Sequence, residues 1–178
     1  MKKVCLFNIF FFVLFFTTAC KTRNESNLQT NLKTMNWTCP DDGICSLEVI
    51  KNKSLEIKQD EIGALYPVLT EGKSNILKFN YKRNEIANTQ DGQYSEVIYA
   101  ELPENIKDIE LNDADLSTVK LLFARLCFCR GQTGYYKVSK GKLEIQKKED
   151  GTFNFKLQFK IDEVPQIITL IDTSFAIE

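Results

Sequence analysis

The sequence predicts an all-β fold: an antiparallel β-sandwich or small barrel with at most one short helix, stapled by disulfides. Three observations predict it. Short runs rich in β-branched and aromatic residues recur from residue 76 onward, several of them alternating apolar with polar. One pair of runs can be set in a hairpin register with one apolar and one polar face. Four cysteines lie beyond residue 35, spaced for a disulfide framework.

Ile76-Leu77-Lys78-Phe79-Asn80-Tyr81-Lys82 alternates, with Leu77, Phe79 and Tyr81 on one face. Ser95 to Leu102 is rich in β formers and stops at Pro103. Asn112 to Ser117 is the one candidate for a short helix, its Asn and Asp residues suiting an N-cap. Val119 to Cys129 is apolar on both faces, the pattern of a strand covered on both sides. Gln166 to Ile177 is β-branched and forms the last predicted strand.

The hairpin joins Lys142–Gln146 to Thr152–Ile161. A two-residue Asp150-Gly151 turn would put Phe155 opposite Gln146 and mix the faces. A three-residue loop, Glu149-Asp150-Gly151 with Gly151 left-handed, pairs Lys148 with Thr152 instead. Ile145 then faces Phe155, Leu143 faces Leu157, and Glu144 lies opposite Lys156. A sheet with one wet face must bury its other face, against a second sheet or by closing on itself.

Cys39 and Cys45 bracket a turn-rich loop, and Cys127 and Cys129 flank Phe128 on the predicted strand. On a regular strand Cys127 and Cys129 would have Cα atoms about 6.6 Å apart with parallel Cβ vectors. Disulfide geometry forbids that pairing without a bulge or turn at Arg130-Gly131. The expected pattern is therefore two long-range disulfides from Cys39 and Cys45 to Cys127 and Cys129. Two local loops are the alternative. A four-cysteine metal site is disfavoured, because C-x5-C with C-x-C departs from the usual zinc spacing.

The first twenty residues carry an address. Met1-Lys2-Lys3 is a basic start, and Val4 to Phe16 is apolar save for Asn8. That run is shorter than the roughly 20 residues a membrane-spanning helix needs, and small residues follow it, as in a secretory signal. Thr17-Thr18-Ala19-Cys20 resembles the lipobox of bacterial lipoproteins, although Thr17 stands where that family often has Leu. The resemblance implies a signal at 1–19, cleaved before Cys20, with diacylglycerol on the Cys20 thiol. Simple secretion with cleavage after Ala19 is the alternative. Parity favours the lipid: of six cysteines, Cys5 leaves with the signal, and a free Cys20 would leave an odd number in an oxidising compartment. Residues 20–35 are polar and read as the lipidated cysteine and its tether, and residues 36–178 as a single β domain of usual size. The Phe-rich signal, Ala-Cys exit, polar tether and compact β domain together resemble short lipoproteins of Bacteroidetes-type bacteria. That likeness implies a cell-envelope protein, lipid-anchored in the outer membrane, and no mechanism.

Composition excludes several functions. The 23 Lys+Arg and 24 Asp+Glu give a net charge of −1, and loss of Lys2 and Lys3 with the signal takes it to about −3. No basic excess points to nucleic acid, and no basic amphipathic stretch to a second membrane contact. The chain has no histidine, the commonest general base and metal ligand. Walker loops, dinucleotide fingerprints and nucleophile elbows are missing, and no cofactor or metal is called for. Asp113, Asp115 and Glu96 fit solvated surface patterns. Asn88 to Gly92 lacks the acidic spacing of a calcium loop, with Ala87 where the first ligand belongs, and reads as a turn.

The candidate interaction surface is Cys127 to Tyr136, where Arg130, Tyr135 and Tyr136 surround a glycine-flanked turn. The plainer reading is a stapled hairpin with its tyrosines in the core. Two functional classes stay open. One is a non-enzymatic envelope protein that binds an envelope protein or glycan, or plays a structural part. The other is a histidine-free hydrolase with a carboxylate pair; a barrel with an apolar lumen would instead suggest a small-ligand carrier.

Overall fold

A computed structural model describes residues 39–85 and 87–177. Cys20, the 1–19 signal, the 20–35 tether and the expected domain start at Asn36 lie outside the described residues. Within them are eleven strands: β1 Gly43–Ile50, β2 Lys53–Gln59, β3 Leu65–Glu71, β4 Asn75–Arg83, β5 Tyr94–Leu102, β6 Ile109–Asn112, β7 Leu121–Cys127, β8 Gly134–Lys137, β9 Gly141–Lys147, β10 Phe153–Phe159 and β11 Leu170–Phe175. A 3₁₀ helix, Asp113–Thr118, occupies the predicted helical site and buries Leu116.

All pairings are antiparallel. One sheet has the order β1-β4-β5-β7-β8, the second β11-β10-β9-β6, and β2 pairs with β3 alone. Alternation decides which faces meet. Leu77, Phe79 and Tyr81 of β4, Ile98 and Ala100 of β5, and Phe123 of β7 share a core with Leu143, Ile145, Phe155 and Leu157 of the second sheet. Phe123 and Phe159 meet across it with ring centroids 5.8 Å apart. The interior is filled with packed side chains, so the architecture is a sandwich.

A third layer lies outside. Leu55 of the β2–β3 hairpin packs with Ile76 and Leu122 on the opposite face of the five-stranded sheet, joined by Ile57, Leu65, Tyr99 and Tyr135. This explains the two-faced apolar pattern around β7: Phe123 faces the second sheet and Leu122 faces the hairpin.

The predicted hairpin is β9–β10 in the expected register, with Ile145 opposite Phe155, Leu143 opposite Leu157 and Glu144 opposite Lys156. The amide of Lys148 donates to the carbonyl of Thr152 at 2.8 Å, and Gly151 has φ +81°. Gly141 is constrained more tightly: a Cβ there would sit 2.0 Å from the Gln158 carbonyl oxygen, at φ +135°.

Two expectations need correction. The last strand begins at Leu170 rather than Gln166. Side chains take the backbone groups before it: the Ile167 and Ile168 amides donate to Glu96, and the Gln166 side chain bonds Ile161 and Ile168. Without free amides the segment cannot join the ladder.

The long-range disulfides are also overturned. Cys39 bonds Cys45, with Cα atoms 5.8 Å apart, and Cys127 bonds Cys129 at 5.1 Å. Strand order gives the reason. β4 and β5 lie between β1, which carries Cys45, and β7, which ends at Cys127. Three interstrand spacings put those cysteines about 14 Å apart, twice the reach of a disulfide. The strand stops at Cys127 and the chain bends at Phe128, bringing Cys129 within reach. Peptide mapping of unreduced, proteolysed protein is expected to recover these two local loops and no 39/45 to 127/129 link, and no cysteine of the four should alkylate.

Candidate functional site

A groove of about 490 Å³ runs along β8, the open edge of the five-stranded sheet. Thr133 to Lys137 form one wall; Gln59, Gly63, Ala64 and Leu65, at the tip of the β2–β3 hairpin, form the other with Glu163. β8 hydrogen-bonds to β7 on one side and is an outer strand of its sheet, so its other row of backbone groups has no strand beside it in the ladder.

Both walls are preformed. At the hairpin tip the Asp60 carboxylate accepts from the amides of Ile62 (3.0 Å) and Ala64 (2.8 Å), and the Gln59 side-chain amide donates to the Gly63 carbonyl at 2.9 Å. At the hairpin base Glu101 accepts from the Leu55 amide at 2.6 Å, the Ser74 hydroxyl at 3.2 Å and Lys120 at 2.9 Å. Burial raises the Glu101 pKa, but these donors outweigh it and hold the carboxyl below its ordinary value. On the β8 side, Arg125 donates to the carbonyl and side-chain oxygens of Gln132, and the Thr133 hydroxyl donates to the Arg125 carbonyl at 3.2 Å.

Of the expected surface residues, Tyr135 and Tyr136 line the groove and Arg130 does not. Both tyrosines are half-buried and point to opposite faces of β8. Tyr135 packs on the outer cluster beside Leu65 and Tyr99, and Tyr136 packs 6.4 Å from Phe123 at the rim of the main core. The two tyrosines are thus divided between core packing and an exposed rim. Cys127 and Cys129 hold the turn that leads into the groove wall.

Glu96 is not the solvated carboxylate expected: it is fully buried inside the sandwich. It accepts from the Tyr94 hydroxyl at 2.5 Å and from the Ile167 and Ile168 amides at 2.7 Å each. Arg125, also buried, donates to the Tyr94 hydroxyl at 3.3 Å and stands 5.3 Å from the Tyr94 ring centroid, while Arg83 covers that ring at 4.5 Å. The network ties the segment after β10 to β5 and β7. Asp113 and Asp115 are exposed, and Asp113 accepts from the Gly141 amide.

Burial, with the bond to Glu96, pushes the Tyr94 hydroxyl up to about 12, against a weaker lowering by Arg125. The unfolded chain releases this proton near 10 and the folded chain holds it longer. The associated stability is complete below pH 10 and is lost as pH rises from 10 to about 12. Tyr94→Phe is therefore expected to flatten the alkaline fall in urea-melt stability across that window, at the expense of stability near pH 7.

Sequence reasoning missed the Gln59–Leu65 wall, Glu163, and the Glu96–Tyr94–Arg125 network. Asp60 followed by Gly63 was a turn signal for the first. Among the described residues no cluster of three or more Cys, Asp or Glu side chains is placed to hold a metal ion, and no helix is long and apolar enough to cross a membrane. The chain matches no family model, no curated protein and no solved structure.

Proposed function

We propose that the chain is a lipid-anchored cell-envelope protein, held in the outer membrane through Cys20, whose β domain binds an extended segment of another envelope protein along β8. The observation that carries the binding role is the preformed groove beside an open strand edge. An added strand would gain main-chain hydrogen bonds from the β8 edge and side-chain contacts from Tyr135 and Tyr136. At four residues, β8 accepts a segment spanning about 13 Å. The groove lining holds a single carboxylate, Glu163. In a second cleft Asp42 is engaged by Tyr81 and Arg83, and Glu85 by Lys82. Carboxylate-pair glycoside hydrolysis instead uses two carboxylates about 5 to 9.5 Å apart about a scissile bond. The filled sandwich interior likewise favours a binder over a carrier with a lumen. The lipid anchor rests on the Thr17-Thr18-Ala19-Cys20 motif and cysteine parity.

Site-specific photo-crosslinking in native envelopes tests this. A crosslinker at Lys137, in the groove, is expected to trap one discrete protein that a crosslinker at Lys156, on the other sheet, does not. Identical adducts at both positions, or none at Lys137, would remove the groove from the account.

A further inference from the structure

The five-stranded sheet has two ends, and one of them gathers residues that are far apart in sequence. Gly43 pairs with Arg83 there, and Tyr94 with Cys127. The described chain enters at that end, since Cys39 is bonded to Cys45 and Gly43 donates to the Pro40 carbonyl. The Cys127-Phe128-Cys129 turn leaves the same end. At the opposite end Asn75 pairs with Leu102, followed by the exposed Glu104.

Phe128 is 83% exposed. Both flanking cysteines are half-buried, Cys127 against the main core, and the disulfide between them closes the turn at whose tip the ring stands. Ile44, inside the other small disulfide loop, is 68% exposed at the same end. Exposed apolar side chains are scattered elsewhere too, but an aromatic ring with a nearby basic residue, here Arg130, at the end where the chain enters suits the boundary between lipid headgroups and acyl chains.

We infer that this end of the sandwich faces the bilayer and that Phe128 inserts into its interfacial layer. The inference rests on the Cys20 lipid anchor proposed above, and what singles out a lipid surface is where the chain enters. Only 18 residues separate Cys20 from Cys39. Fully extended they span at most about 60 Å, so the anchor keeps this end at high local concentration near the membrane. A weak contact then suffices to orient the domain, and the β8 groove, at the side of the sheet, stays open to a partner. Charge does not drive the contact: Arg83 pairs with Asp42 and Lys82 with Glu85, and the exposed Arg130 stands against the exposed Asp41 and Asp91 in the loops of the same end. The contact is therefore insensitive to salt. No single basic stretch encodes the surface, which is why the sequence pattern pointed to no second membrane contact.

Tryptophan fluorescence of the full lipidated protein, reconstituted in phosphatidylethanolamine/phosphatidylglycerol vesicles, tests the inference. Trp37→Phe removes the one native tryptophan, and Phe128→Trp or Glu104→Trp then reports on either end. With Phe128→Trp the emission should shift to the blue and be quenched by brominated lipid, equally at low and high salt. With Glu104→Trp it should do neither. Flotation with the vesicles but an unquenched reporter at 128, or equal quenching at 128 and 104, overturns this inference and leaves the anchor standing. Failure of the protein to float overturns the anchor itself, and this inference with it.

Discussion

Phe155→Ala is expected to cost about 3 to 5 kcal/mol in urea-melt stability, a large part of the 5 to 15 typical of a whole domain. Phe155 is fully buried, paired with Ile145 on one side and Thr173 on the other, at the centre of the four-stranded sheet. Truncation removes the transfer free energy of the ring and leaves a cavity that strands fixed on both sides cannot close. Its neighbour Lys156 supplies the contrast. That side chain points to the wet face beside Glu144 and 3.9 Å from Asp172, so Lys156→Ala should change stability by no more than about 0.5 to 1 kcal/mol. Equal effects at the two positions would mean that the sheet's buried face has been misplaced.

Glu96→Ala should be comparably damaging, at about 3 to 5 kcal/mol, because three donors lose their shared acceptor in the interior. The carboxylate is withdrawn entirely from water and is the acceptor for three donors, while Arg125 stands one hydrogen bond further away. Removing it strands the buried Ile168 amide and the half-buried Ile167 amide, and takes from the Tyr94 hydroxyl the acceptor of its proton. Glu96→Gln keeps one acceptor oxygen and should fall between Ala and wild type. Hydrogen exchange separates this from general destabilisation. The Ile167 and Ile168 amides should lose protection in Glu96→Gln before those of β9 and β10 do. Uniform loss across both sheets would deny Glu96 its role as the clamp on that segment.

These residues show what was legible in the sequence. The β9–β10 register could be read because alternation is strict there and Gly151 limits the loop, so a slip of one residue would invert both faces. β4 was readable for the same reason, and β5 for its run of β formers ended by Pro103. β1, β2 and β3 were not, because they are shorter or more polar and acquire their apolar contacts from distant strands such as β4 and β7. Glu96 was misjudged because Ser95 to Leu102 is apolar on both faces, which hides its inward direction; its partners at 167 and 168 lie some seventy residues on. The disulfide pattern was misjudged for want of the strand order, which separates Cys45 from Cys127 by two strands. Half the candidate surface was visible as Tyr135 and Tyr136. Its other wall comes from a hairpin whose turn Asp60 and Gly63 signal locally but whose folding over the sheet is a tertiary event.

The lipid on Cys20 is the central claim, since the envelope location and the membrane-facing end both depend on it. Intact-mass analysis of the protein purified from bacterial membranes tests it most directly. The mature chain should begin at Cys20 and carry the added mass of a diacylglycerol, and Cys20→Ala should abolish that species. A soluble, unmodified chain that begins at Cys20 would contradict it.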